Sequence, residues 1–223
     1  MSIIDSLTSV LAPHSCLACN AEKYILCPKC ANQLPPLPAR CYRCQTASPG
    51  FLTCPACRAD SRLRSVRVTA AYKSTAKALI WKLKLNGTQA AAKVMAQRLA
   101  PLIETNGPIA MLVPVPTATN RQRQRGYDQA KLLVHELARQ TRLPYRDCLA
   151  RHGQTHQHGL PRRDRLRQLA AAFRVTRPSA VKGAHIILVD DVVTTGATLE
   201  AAAQVLKNAG AADIDAVVFA QPL

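Results

Sequence analysis

His185-Ile186-Ile187-Leu188-Val189-Asp190-Asp191-Val192-Val193-Thr194-Thr195-Gly196-Ala197-Thr198-Leu199 is the stretch whose reading decides the fold. Ile186 to Val189, with Val192 beyond two acids, have the apolar and β-branched character of a buried strand. The strand ends on paired carboxylates, Asp190 and Asp191. A loop of small hydroxyl residues and glycine follows, Thr194 to Thr198, and leads into a helix. Paired carboxylates accept hydrogen bonds from sugar hydroxyls. Loop amides, threonine hydroxyls and a helix N-terminus bind a phosphate. Side by side, the two groups can hold both ends of a sugar phosphate. An ordinary strand, turn and capped helix explains neither the double acid nor the run of hydroxyls.

Working outward, strands and helices alternate. Residues 66–72 read as a strand, 76–85 and 89–103 as helices, and 111–115 as a buried strand interrupted by Pro114 and Pro116. The polar, basic segment 117–125 reads as a loop and 126–141 as an amphipathic helix. Leu149 lies in a short strand, 162–172 is helical, and 173–175 is extended. After the opening stretch come a helix from about 195 to 208 and a last strand, 214–220. Such alternation predicts an α/β fold with a parallel sheet and ligands at the carboxyl ends of its strands. Residues 1–11 carry Ile3, Ile4, Leu7, Val10 and Leu11 on one helical face.

Eight of the nine cysteines form four Cys-x-x-Cys pairs: Cys16/Cys19, Cys27/Cys30, Cys41/Cys44 and Cys54/Cys57. Two such knuckles complete a tetrahedral site of four thiolates, so eight ligands imply two Zn2+ ions. Both sites are closed, which makes the metals structural. Large apolar residues are few in this region, so metal binding supplies much of its folding energy. Sequential pairing is preferred, and the spacing also permits an interleaved one. Cys148 stands alone and reads as a small buried apolar residue rather than a nucleophile. The region predicts a double zinc ribbon over residues 1–62, followed by a second domain over 63–223.

The net charge of +17 is uneven: residues 118–182 carry +11 and residues 183–223 carry −4. The basic middle suits a polyanion, either nucleic acid or a pyrophosphate-bearing substrate. Solvated arginine-rich helices are the plainer explanation for charge alone. No apolar run is long enough to span a bilayer and no signal peptide is evident, so a cytoplasmic protein is expected. The oligomeric state is left open.

Val189 through Thr198 resemble the PRPP-binding motif of type I phosphoribosyltransferases. The whole chain resembles the narrower ComF/GntX family, which joins a double zinc ribbon to a type I phosphoribosyltransferase domain. Beyond the PRPP motif and the knuckles, the resemblance rests on Leu83-Lys84-Leu85-Asn86-Gly87, Val113-Pro114-Val115-Pro116 and Arg123-Gln124-Arg125-Gly126-Tyr127-Asp128-Gln129-Ala130. A looser match runs from Thr155 to Phe173. Asp128 departs from the usual asparagine, although aspartate serves equally well as a helix N-cap.

The resemblance implies a PRPP or other ribose 5-phosphate site. In it Asp190 and Asp191 are the catalytic pair on the ribose hydroxyls, within a binding stretch of Val192, Val193, Thr194, Thr195, Gly196, Ala197 and Thr198. Mg2+ accompanies the pyrophosphate. Lys84, Arg121, Arg123 and Arg125 are the cations available to neutralise it, the three arginines forming a lid. His156 and His158, without a third ligand, read as solvated. The family name connects such chains with competence, the uptake of DNA. This supports the alternative of a module that handles single-stranded DNA or meets competence proteins, its PRPP site being regulatory or vestigial. With nine aromatics in the chain, Tyr42 and Phe51 are the best stacking platforms in the ribbon.

Overall fold

The computed structural model describes residues 15–86, 88–103, 110–118, 123–152 and 168–222. The N-terminal amphipathic stretch, Arg121, His156 and His158 lie outside them. So do Gly87 and most of the expected helix 162–172.

The apolar runs assemble into a four-stranded parallel sheet of β1 (Val66–Ala71), β2 (Ala110–Pro114), β5 (His185–Val192) and β6 (Asp213–Gln221), in the order β1-β6-β5-β2. β5 occupies an inner position, and its residues 186–189 are buried on both faces, as a parallel sheet covered by helices requires. α3 (Ser74–Asn86), α4 (Gln89–Leu99) and α5 (Gln129–Thr141) share one apolar cluster with Ile187, Val189, Val217 and Phe219. α7 (Ala197–Asn208) shares the other with Ile186, Leu188, Ala216 and Val218. The period-2 alternation of β5 and β6 thus divides the core into two layers.

The expected helix 126–141 begins at Gln129. Gly126 adopts a left-handed φ of 76°, and Asp128 takes the extended N-cap position, accepting a hydrogen bond from Ala130 N at 3.0 Å. Residues 123–125, expected in a loop, make a helical turn. The short strands β3 (Leu149–Arg151) and β4 (Phe173–Val175) pair antiparallel, which no local pattern announces. α6 (Pro178–Val181) leads into β5. Cys148 is fully buried, and burial pushes its thiol up to about 11, consistent with an apolar role.

The cysteines fold as two similar modules. In each, the first knuckle sits in a hairpin closed by a left-handed residue, Asn20 or Gln45. The second opens a short helical turn with proline at its start, α1 (Pro28–Asn32) or α2 (Pro55–Arg58). Pairing is sequential: Cys16, Cys19, Cys27 and Cys30 form one group, and Cys41, Cys44, Cys54 and Cys57 the other. Within each, the sulfurs lie within 4.8 Å of one another. A zinc tetrahedron with bonds of about 2.3 Å has edges of about 3.8 Å. Cys19 and Cys27 Sγ are 3.8 Å apart, and Cys44 and Cys54 Sγ 3.5 Å. The donor sets therefore fit zinc, and each leaves no protein position open for catalysis.

Each module also inserts the residue after its first cysteine into the sheet domain. Leu17 packs on the cluster that includes α3 and α4; Tyr42 is buried in the cluster of α7.

At the amino end of the sheet, Asp215 (1% exposed) gathers three segments. Arg64 donates from Nε at 3.1 Å and Nη2 at 2.5 Å, Ser65 Oγ donates at 2.6 Å, and His185 Nε2 lies at 2.7 Å. Burial alone would raise the Asp215 carboxyl, but Arg64, Ser65 and His185 outweigh it and hold it below the ordinary range.

Two outcomes follow from this frame. Elemental analysis of the native chain should give about two zincs per molecule, and Cys16→Ser should lower the content while leaving the Cys41 site loaded. A folded chain without metal contradicts the ribbon assignment. Asp215 binds fewer protons folded than unfolded, so its stabilisation is complete above the unfolded value of about 3.9 and is lost as pH falls through its lower folded value. Asp215→Asn should flatten that acid limb and destabilise by about 2–3 kcal/mol in urea melts. This is less than the roughly 3–5 kcal/mol of a fully buried pair, because the Arg64 side chain is 40% exposed.

Candidate functional site

The order of strand connections reverses between β2 and β5, which remain parallel. From β2, α5 leads outward to residues 144–146, which bond to the outer edge of β2: Leu112 N donates to Pro144 O at 2.9 Å, and Arg146 N to Leu112 O at 3.0 Å. From β5, α7 returns on the other side to β6. In such sheets the crevice outside the carboxyl ends of the strands, where the order reverses, is the usual ligand position.

Four motif segments meet there. β5 runs through the acids, with Asp190 paired to Val218 and Val192 to Ala220 in register, so the carboxylates stand on a hydrogen-bonded strand rather than beyond it. Val115 N donates to Val189 O at 3.0 Å, which lays the Val113–Pro116 segment beside β5. Asp128 accepts from Thr117 N at 3.4 Å and Thr117 Oγ1 at 3.3 Å, tying the chain after β2 to the start of α5. Tyr127 Oη donates to Leu83 O at 2.7 Å and holds the end of α3 next to the same crevice.

Lys84, in the last turn of α3, reaches the acids directly. Its Nζ lies 2.8 Å from Asp191 Oδ2. That oxygen is buried and meets the ammonium off the angle of a hydrogen bond, so the contact is mainly electrostatic. Asp190 stands half-buried on the opposite side of the pleat and accepts a hydrogen bond from Asp191 N at 2.8 Å. Burial, reinforced by the charge of Asp191, pushes the Asp190 carboxyl well above the ordinary carboxylate range. Two carboxylates on consecutive residues, with one ammonium against Asp191, leave net negative charge for a further cation to offset. A carboxylate pair beside phosphate oxygens is the donor set that Mg2+ accepts.

After β5, Thr194 and Thr195 are exposed and Gly196 is a buried, left-handed N-cap of α7 with φ of 76°. The amides of Thr194, Thr195 and Gly196 have no hydrogen-bond partner among the described residues. Together with the first turn of α7 they form a cluster of donors at the positive end of a helix dipole. Val192 and Val193 carry the chain into this loop, Val193 N donating to Ala220 O at 3.0 Å. Ala197 and Thr198 open the helix.

The expected arginines are less uniform than a three-guanidinium lid. Arg123 is exposed, whereas Arg125 donates from Nη1 to Gln129 Oε1 at 3.0 Å, in the first turn of α5. Tyr42 is 2% exposed and cannot serve as a stacking platform; Phe51 is half-buried. Tyr42 instead lies against Gly196, and its hydroxyl bonds to Glu200 in the first turn of α7. Sequence reasoning missed this neighbour of the loop, because the pair is 158 residues apart and neither residue belongs to a local pattern.

Residues 123–222 match the family model described as "Phosphoribosyl transferase domain". The chain is 32% identical over 209 residues to the DNA utilization protein YhgH of Salmonella typhi, an alignment covering 89% of this chain and 85% of that protein. It is 37% identical over 102 residues to the competence protein ComFC of Bacillus subtilis, covering 46% of this chain and 40% of the relative. Among solved structures, the glutamine PRPP amidotransferase from B. subtilis complexed with ADP and GMP superposes with a TM-score of 0.41 at 17% identity, over 58% of this chain and 26% of that one. The described helices include none long and apolar enough to cross a membrane. With two sequentially paired tetracysteine modules ahead of a phosphoribosyltransferase domain, and a relative aligned along nearly its whole length, the chain belongs to the ComF/GntX family, alongside YhgH and ComFC.

Proposed function

We propose that the crevice at the end of β5 binds PRPP, or another ribose 5-phosphate, and transfers its phosphoribosyl group to an acceptor. The observation that carries the reading is the adjacency of two unlike recognition elements on one continuous segment. One is the carboxylate pair Asp190/Asp191 with Lys84 beside it; the other is a loop of unengaged amides at the start of α7. A sugar phosphate needs both.

In this reading Asp190 and Asp191 accept hydrogen bonds from the ribose hydroxyls. The amides of Thr194, Thr195 and Gly196, with the threonine hydroxyls and the first turn of α7, hold the 5′-phosphate. The acceptor nucleophile forms a bond to the anomeric carbon as the bond to pyrophosphate breaks, and the leaving group departs with its electron pair. Positive charge develops on the sugar ring, which the two carboxylates face. Lys84 is placed to exchange Asp191 for a pyrophosphate oxygen, and Arg123 is exposed for the same task. Mg2+, held by Asp190 or Asp191 together with substrate oxygens, supplies charge neutralisation when bound. The division of labour falls near residue 62, the tetracysteine modules before it being structural and the transferase-like domain following it.

A second reading is DNA handling. It draws support from the names of the relatives, DNA utilization and competence proteins, and from the +11 charge of residues 118–182. Burial of Tyr42 removes one of its stacking platforms, which leaves backbone electrostatics as its main basis.

Calorimetric titration of the whole chain tests both readings. PRPP with Mg2+ should bind to the native protein. Asp190→Asn combined with Asp191→Asn should abolish that binding while the chain stays folded; unchanged affinity would rule out the sugar-phosphate site. A single-stranded oligonucleotide titrated at two salt concentrations should bind more weakly at the higher one if the basic segment contacts DNA, and heat-silent, salt-independent mixing excludes that contact.

A further inference from the structure

We infer that Tyr42, in the first knuckle of the second tetracysteine module, is a positioning residue for the phosphate loop, so that the metal-held ribbon fixes the shape of the sugar-phosphate site. The inference rests on the PRPP reading of that loop and deepens it.

The ring of Tyr42 fills the space where any side chain at residue 196 would have to go. A Cβ built on Gly196 would stand 2.7 Å from Tyr42 Cδ2 and closer still to Cε2. Real Cβ atoms do not approach carbon so closely, and the left-handed φ of 76° disfavours a side chain independently. Glycine is therefore required here both by conformation and by the tyrosine. Behind the contact the ring is fixed at its other end. Its hydroxyl donates to Glu200 Oε1 and lies 3.0 Å from Ser61 Oγ. The second oxygen of Glu200 accepts from Arg62 N at 3.1 Å.

The knuckle itself is anchored on both sides. Arg43 Nη1 donates to Cys57 O at 3.0 Å, across to the module's other knuckle, and lies 3.9 Å from Glu200 Oε1. Gln221 Nε2, at the end of β6, donates to Tyr42 O at 3.4 Å. Ribbon and phosphate loop thus share one buried set of contacts. Glu200 is 8% exposed and Tyr42 2%, so neither can be displaced without uncovering the other. A loop that must present three amides to one phosphate tolerates little displacement, since errors of about 1 Å cost orders of magnitude in well-positioned sites. The module thereby acts as the back wall of the site while remaining away from the reacting atoms.

The test compares Tyr42→Phe and Tyr42→Leu with the native full-length chain, reading PRPP affinity with Mg2+ by calorimetry and zinc by elemental analysis on the same samples. Tyr42→Phe keeps the ring against Gly196 and should bind within about twofold of native. Tyr42→Leu fills the core without the ring edge and should bind about tenfold or more weakly with both zincs retained. Native-like affinity in Tyr42→Leu overturns the inference and leaves the PRPP reading intact. A native chain that does not bind PRPP removes the reading itself. Should Tyr42→Leu lose metal or fail to fold, Tyr42→Met, a flexible apolar side chain without the ring edge, probes the same contact: a comparable loss with both zincs present supports the inference, and native-like binding overturns it.

Discussion

Two carboxylates stand at the end of a strand that is buried on both faces, and the rest of the molecule answers to that constraint. β5 can sit between two apolar layers because Ile186 and Leu188 face α7 while Ile187 and Val189 face α3, α4 and α5. The same alternation carries Asp190 and Asp191 to opposite sides of the pleat, at the edge of that apolar environment. Burial disfavours the charge on Asp190, and the neighbouring charge of Asp191 disfavours it further. Lys84 compensates one of them at 2.8 Å. The remaining imbalance suits a site that gains stability when hydroxyls or a cation arrive.

The loop beyond the acids carries the complementary imbalance. The amides of Thr194, Thr195 and Gly196 have no acceptor among the described residues, and the loop opens onto the positive end of α7. Within one connected stretch, acceptors wait for donors and donors wait for an anion. The tetracysteine modules stabilise this arrangement from outside the sheet. The first contributes Ile25, Leu26 and Leu34, with Leu17 packed beside them, to one core layer and the second contributes Tyr42 to the other, so the modules extend the two apolar clusters. At the opposite end of the sheet, Asp215 binds the segment entering β1 to the starts of β5 and β6. The two ends of the central strands are thereby fixed by polar networks and their middles by packing.

The parallel sheet, its long helices and the tetracysteine clusters were legible in the sequence, because each follows from a periodic or local signal. Apolar runs marked β5 and β6, Cys-x-x-Cys spacing marked the candidate ligands, and an amphipathic run marked α5, although its expected start at residue 126 precedes the observed one at Gln129. Strand ends were less legible: β5 continues through Asp190 and Asp191 because its partner β6 goes on bonding to Val192. The β3–β4 pairing and the edge contact of residues 144–146 depend on tertiary neighbours that no short window contains. In the site, the acids and the Thr/Gly loop are neighbours by chain continuity alone. Tyr42 was not legible as their neighbour, because an aromatic residue inside a metal knuckle reads as a local packing or stacking group. Its real partners, Gly196 and Glu200, are distant in sequence.

Hydrogen–deuterium exchange of the zinc-loaded chain, with and without PRPP and Mg2+, tests the central claim most directly. If the β5–α7 junction holds the sugar phosphate against the second tetracysteine module, ligand should slow exchange in two separate segments together: residues 193–200 and the knuckle at residues 41–44. Protection of neither segment, or protection elsewhere with both unchanged, contradicts the account.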